Sequence, residues 1–204
     1  MATTRKTPKT ERAGRRGAGR PRSEQSRRAI LNATLALLES DGYRKLTVEA
    51  IAARAGVGKQ TIYRWWRRKA DVVLEAWTDA AAKRIPEPDT GELAGDLALF
   101  VGETCRRAEQ SAPLLCALMA EAQLDEDFSD RFGHAFIAVR RAVVRRILER
   151  GVQRGELAEQ ADLELLIDLV YGPMWYRLLN RHGALDRAFV ERVCSAVIAA
   201  GRLL

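Results

Sequence analysis

Histidine is almost missing from this sequence of 204 residues: His134 and His182 are the only two, and they stand too far apart to form a local metal-binding pair. No H-E-x-x-H, C-x-x-C, G-x-S-x-G or phosphate-loop pattern occurs, which lowers any reading as an enzyme and gives no reason to expect a metal or cofactor. Cysteine is also scarce. Cys105, Cys116 and Cys194 are odd in number, widely spaced and set in apolar helical patterns, so they read as small core residues of a reducing compartment and not as a disulfide framework. No apolar run approaches the length of a membrane span. Nor does an apolar segment follow the basic N-terminus to make the core of a signal peptide, so a cytoplasmic location without membrane contact is expected. Strand-like alternation and internal repeats are absent too, which leaves an all-α chain.

What is present is charge, unevenly placed. The composition, 47% hydrophobic and 30% charged, suits a soluble globular protein, and the formal net charge is +7. Residues 1–28 carry 10 Lys/Arg against 2 Asp/Glu, residues 29–78 carry 8 against 5, and residues 79–204 carry 16 against 20. The basic excess thus belongs wholly to the first third, as expected of a polyanion-binding end on a body that does not bind polyanions.

Residues 1–22 have no large apolar side chain after Met1 and are expected to form a disordered basic arm that neutralises phosphates. Within it Gly19-Arg20-Pro21-Arg22 suggests an extended strand whose Arg20 and Arg22 reach a narrow minor groove. A helix is expected from Ser23, as N-cap, to the Asp41-Gly42 stop. Thr47 then caps a short helix with Val48, Ile51 and Ala52 inward. Gly56 is the left-handed residue of the following turn, and a third helix runs from about Lys59 to Trp66 with Ile62 and Trp66 inward. Two short helices joined by a glycine turn are a helix-turn-helix, whose later helix enters the major groove. A fourth helix, from Lys69 to about Arg84, links this head to the remainder.

Residues 23–77 resemble the DNA-binding domain of the tetracycline-repressor-like (TetR) family. The likeness rests on Gly42-Tyr43, the T-V-E-A-I-A-A-R-A-G-V stretch from Thr47, K-Q-T-I-Y-R-W-W from Lys59, and Lys69 at the start of the next helix. It implies that Thr47 meets a phosphate, that Lys59, Gln60, Thr61, Tyr63 and Arg64 face the groove or its walls, and that Lys69 contacts a phosphate. Gly58 departs from the family pattern, which often has Ser there, so a side-chain cap is lost. Elementary chemistry agrees on several roles: Gln60 can pair bidentately with adenine, and Lys59 or Arg64 can donate to guanine. Thr47, Tyr63 and Lys69 would set register on the backbone.

The expected domains are the arm 1–22, the helix-turn-helix head with its connecting helix 23–85, and a helical regulatory and dimerisation domain 86–204 that starts in a Pro/Gly turn cluster. There, Phe128, Phe132, Phe136, Val139, Val143, Ile147 and Val152 mark one long amphipathic helix. Arg140, Arg141, Arg145, Arg146 and Arg150 decorate it and read as a solvated face with local salt bridges. Asp162 and Asp186 open the last two helices, the first interrupted by Gly172-Pro173. The resemblance implies a homodimer through these two helices and an effector pocket in the helical body, for which Met119, Phe132, Phe136, Trp175 and Tyr176 are candidates. The function expected is a homodimeric regulator, a repressor released by a small-molecule effector, on a palindromic double-stranded DNA operator. An enzyme fused to a helix-turn-helix head and a sequence-tolerant architectural DNA binder are the alternatives; turnover of a metabolite, or indifference to sequence in competition binding, would favour them.

Overall fold

The computed structural model describes residues 20–81 and 87–203, with side chains from Glu24 to Ala80 and from Glu87 onward. The basic arm through Gly19 and the side chains of Arg20 and Arg22 therefore lie outside the described residues. Among the described residues there are ten α-helices, one π-helical turn and no strand.

The head is α1 (Arg20–Lys45), α2 (Val48–Ala55) and α3 (Lys59–Tyr63). Helix α1 begins three residues before the expected Ser23 cap, so the Arg20-Pro21-Arg22 backbone is helical and not extended. Pro21 is compatible with that start, because first-turn N–H groups have no intrahelical acceptor to lose. The expected stop is real: Gly42 takes φ 74° and ψ 169°, which breaks α1 before its last residues. The Thr47 hydroxyl accepts from the Ala50 N–H at 3.1 Å and caps α2; Gly56, at φ 66°, ends it with its own N–H turned back onto the helix. Ile51 and Ile62 are wholly buried between these helices, and truncating either to alanine would cost about 2–5 kcal/mol.

Helix α4 (Lys69–Ala81) carries the head onto a body of α5 (Leu93–Gln110), α6 (Ala112–Leu124), α7 (Glu126–Phe132), a π turn (Gly133–Ala138), α8 (Val139–Gln153), α9 (Leu163–Asn180) and α10 (Arg187–Leu203). Local rules set the starts. Asp125 and Asp162 accept N-cap bonds from Phe128 N–H at 2.6 Å and Leu165 N–H at 3.1 Å, and Asp186 accepts from Phe189 N–H at 2.8 Å. Gly201 allows the C-terminal helix to close on the body, since a Cβ there would lie 2.7 Å from a Leu157 methyl and 2.9 Å from a Leu166 methyl. All three cysteines are free, and burial pushes the thiols of Cys105 and Cys194 up to about 12 and about 11, as inert core residues.

One expectation fails in register. The rod from Glu126 to Gln153 is continuous but contains the π turn, and beyond it Val139 is 56% exposed while Val144, Ile147 and Leu148 are buried. A π turn holds more residues than an α turn. The inward row therefore continues from Phe136 to position 140; the expected Val139 faces solvent, while the expected Val143 is half-buried against the core.

Candidate nucleic-acid interface and ligand cavity

Helix α3 is five residues long and divides sharply. Ile62 is 1% exposed and anchors it, whereas Lys59, Gln60, Tyr63 and Arg64 are exposed and Thr61 is half-buried. Gly58 stands at its N-cap with extended backbone and supplies no side-chain cap. The helix tightens at its end, Trp65 N–H donating to Ile62 C=O at 2.9 Å, so it stops before the expected Trp66. Lys59 Nζ lies 3.0 Å from Glu49 on α2, and the Lys59 ammonium and a hydrogen bond from the Glu49 backbone hold that carboxylate below its ordinary value, the backbone bond being the larger cause.

The remaining candidates divide by position. Thr47 is exposed at the start of α2. Lys69 is half-buried, its Nζ donating to Tyr43 C=O at 3.1 Å and sitting 4.2 Å over the Tyr43 ring, so it secures the end of α1 to the start of α4. Two donors remain on that ammonium for a phosphate. Residues the sequence reading passed over are Arg44 and Lys45, exposed just before Thr47; Trp65, which the sequence leaves open between core and surface, is 46% exposed beyond Arg64. Adjacency to Thr47 was the available signal for the first two.

The head is tied to α4 by one carboxylate. Trp66, 5% exposed, donates its indole N–H to Glu75 Oε2 at 2.7 Å, and Arg27 of α1 pairs with the same carboxylate. The head and body share one continuous apolar core, and polar contacts rim their junction: Tyr43 hydroxyl to Glu121 at 2.9 Å, Arg67 to Asp127 at 3.1 Å, Arg131 to Asp71 at 2.8 Å, and Arg68 with Asp125.

Two residues further along α4, Trp77 reaches a cavity of about 360 Å³ in the body. Of the five expected effector-pocket residues, Met119, Phe136 and Trp175 line it. Phe132 does not: it is 3% exposed, stacked between Phe128 and Phe136 in the core. Tyr176 does not either; it is 64% exposed on the outer face of α9, edge-on to His182 at 4.8 Å. Position 176 is rotated off the inward face that carries Met174 and Leu178, which is why an aromatic neighbour of Trp175 falls outside. Sequence reasoning missed Trp77, Thr104, Arg140 and Tyr171 on the cavity wall; Arg140's place four residues after Phe136 was the signal for one of them.

Helix α9 presents Leu165, Tyr176 and Leu179 to solvent at 46, 64 and 45% exposure, in line with Leu169 and Gly172. The steps of four, three, four and three place them on one stripe. No helix among the described residues is long and apolar enough to cross a membrane.

Comparisons with known proteins agree with this geometry. The family profile "Bacterial regulatory proteins, tetR family" matches residues 30–76, and "Tetracyclin repressor-like, C-terminal domain" matches residues 87–197. The chain is 40% identical to the uncharacterized HTH-type transcriptional regulator YdeS of Bacillus subtilis (strain 168), covering 85% of this chain and 88% of that protein. It is 32% identical to the DNA-binding transcriptional repressor TetR of Mycobacteroides abscessus, over 87% and 94% respectively. Among solved structures, the TetR family transcription regulator SCO0332 superposes with a TM-score of 0.73 at 27% identity, over 86% of this chain and 98% of that one.

Proposed function

The chain belongs to the TetR family of bacterial helix-turn-helix regulators, proteins that bind DNA and are not enzymes, and from that premise we propose a homodimeric repressor released from a palindromic operator by a small molecule. The observation that carries this reading is α3: a buried Ile62 holds a helix whose exposed side is Lys59, Gln60, Tyr63 and Arg64, in the one basic third of the chain. Gln60 reads adenine, Lys59 or Arg64 reads guanine, and Thr47, Tyr63 and Lys69 fix register on phosphates, with Thr61 against the groove wall. Lys59 exchanges its exposed Glu49 partner for DNA at little loss, since exposed pairs contribute about 0–1 kcal/mol. Arg20 and Arg22 add phosphate or minor-groove contacts beside the head.

The unpartnered α9 stripe supports a dimer in which α9 and α10 of each protomer form a shared bundle. Two heads then address half-sites about 34–36 Å apart, or a multiple of that. Helix α4 supports the switch. Its Trp77 lines the cavity and its Glu75 holds the head, so a molecule filling the cavity is two residues, about half a turn of helix, from the residue that makes the Trp66 contact. Release requires the ligand to favour one head spacing over the other.

The test is operator binding at fixed salt. Gln60→Ala and Tyr63→Ala are each expected to weaken specific binding by about 1–3 kcal/mol, roughly 5- to 150-fold, with helix content and dimerisation retained. Unchanged operator affinity in both variants would overturn the reading.

A further inference from the structure

The cavity walls are mostly apolar, with Trp77, Leu115, Met119, Phe136, Met174 and Trp175 facing it. Arg140 is set into that wall. It follows Phe128, Phe132 and Phe136 at steps of four and precedes Val144 and Leu148, and each of those five is buried. An arginine thus occupies a row that is otherwise core. Its guanidinium carbon lies 4.3 Å over the Phe136 ring and 5.9 Å over Trp77, contacts that attract a cation but do not neutralise it.

Its neighbours on α8 show what Arg140 lacks. Arg141 pairs with Glu164 at 2.5 Å and with Asp168; Arg145 also pairs with Glu164, and Arg146 and Arg150 share Glu87 at 2.8 and 2.5 Å. Arg140 pairs with no carboxylate among the described residues, and its Nε is buried without a hydrogen-bond partner. Asp168 is the one carboxylate on the described cavity wall, and Arg141 occupies it. Thr104, 6% exposed and on the same wall, has a buried hydroxyl oxygen that is likewise without a partner. Burial lowers the Arg140 guanidinium from its ordinary value, the Tyr171 phenol opposing and the Arg107 cation adding to that shift, so the site favours an added negative charge. Arginine does not lose its proton in proteins, so the charge stays and needs a counter-ion.

We propose that the cavity takes a compact amphipathic carboxylate, its apolar and preferably aromatic body against Trp77, Met119 and Trp175 and its carboxylate on Arg140, with the Thr104 hydroxyl as a second donor. The proposal rests on the reading of this cavity as the effector site. One unpaired cation balances a monoanion; a dianionic phosphate would call on a second, and Arg107 is committed to Glu103 at 2.6 Å. The volume stands at the small end of small-molecule sites, which run to about 300–1,000 Å³, and so favours a short acid over a long acyl chain. Because Trp77 underlies the guanidinium, drawing Arg140 toward a carboxylate alters its packing on α4.

Binding of phenylacetate, 3-phenylpropionate and 4-phenylbutyrate to the full-length protein, each against its neutral amide, tests this by calorimetry and by operator release. At least one acid is expected to bind about tenfold or more tighter than its amide. That preference should collapse toward unity in Arg140→Gln and be partly kept in Arg140→Lys, with circular dichroism melting curves showing both variants folded. Amides binding as well as acids, no acid binding at all, or an acid preference that survives Arg140→Gln would each overturn the proposal. Release of operator by the amides alone would do so while leaving the effector reading intact, whereas an acid that binds through Arg140 without releasing operator would overturn the effector reading and leave the anion site standing.

Discussion

Asp96 is fully buried, yet it is one of the most heavily hydrogen-bonded side chains in the body. Burial works against its charge, but the Thr90 N–H at 2.6 Å, the Thr90 hydroxyl at 2.8 Å and Arg150 at 3.4 Å prevail and hold it below the ordinary aspartate range. Arg154 approaches the same carboxylate at 3.4 Å. On α5, hydrogen bonds from Arg106, then Arg107, bring Glu103 down to about 2 in spite of partial burial. A carboxyl whose folded value is depressed contributes stability that is complete above its unfolded value and disappears as pH falls through the folded one. Thermal stability is therefore expected to be level from pH 7 to about 5, then to fall from about 4.5 toward 2 as Glu103 and Asp96 take up protons. Asp96→Asn, which leaves two arginines without their buried partner, is expected to lose about 3 kcal/mol and to lower Tm by roughly 6–12 °C at neutral pH. It should also flatten the acid limb of the curve; a variant as stable as the parent at pH 7 would refute this account of the α5–α8 junction.

At the scale of elements, the head was legible in outline because its signals are local. Thr47 as cap, Gly56 as left-handed stop and Ile51 and Ile62 as inward residues all depend on chemistry within a few positions, and the structure has them so. The rod from α7 to α8 was not fully legible. Its row could be followed through Phe136, but a reading that assumes one period continues to Val139, and only the π turn moves the row to Arg140 and Val144. Helix α4 was expected as a link; that Glu75 is where it grips the head was not, since Arg27 comes from α1, Trp66 from the segment between α3 and α4, and Glu75 from α4. Glu75→Ala strands the buried indole N–H and leaves Arg27 with Glu24 alone. It is expected to cost about 1–3 kcal/mol and to lower operator affinity while the dimer persists. Equal operator affinity in this variant and the parent would remove α4 as the mechanical link.

For the whole molecule, the stripe on α9 decides whether a single chain is complete. Leu165, Tyr176 and Leu179 leave about half of their surface in water in the monomer, and burying that remainder against a second copy would return roughly 0.7–1.5 kcal/mol per side chain. Leu179→Glu, changed on both copies at once, is expected to raise the dimer dissociation constant by roughly thirtyfold or more and to weaken operator binding in parallel, as read by analytical ultracentrifugation and mobility shift. A dimer that survives this change would place the interface elsewhere. The expected contribution of Arg20 and Arg22 is separable from all of this by salt, since each lost phosphate contact lowers the slope of log affinity against log salt by about one unit.

The sequence by itself determined the all-helical class, the order of head and body, the caps that start α2, α9 and α10, and which side chains of α3 stand free of the core. Those properties follow from the polarity and backbone preference of residues within one or two turns of each other. Only the tertiary structure decided which of five arginines on one helix lacks a counter-ion. Arg141, Arg145, Arg146 and Arg150 are neutralised by Glu87, Glu164 and Asp168, residues on other segments far along the chain that helix packing brings alongside. The same packing turns Arg140 from that acidic fringe onto Phe136 and Trp77, where the wall is mostly apolar and its described carboxylate, Asp168, is already held by Arg141. Charge pairing between distant helices depends on their rotation and stacking, and the π turn that sets this rotation leaves no mark in the pattern of charges along the chain.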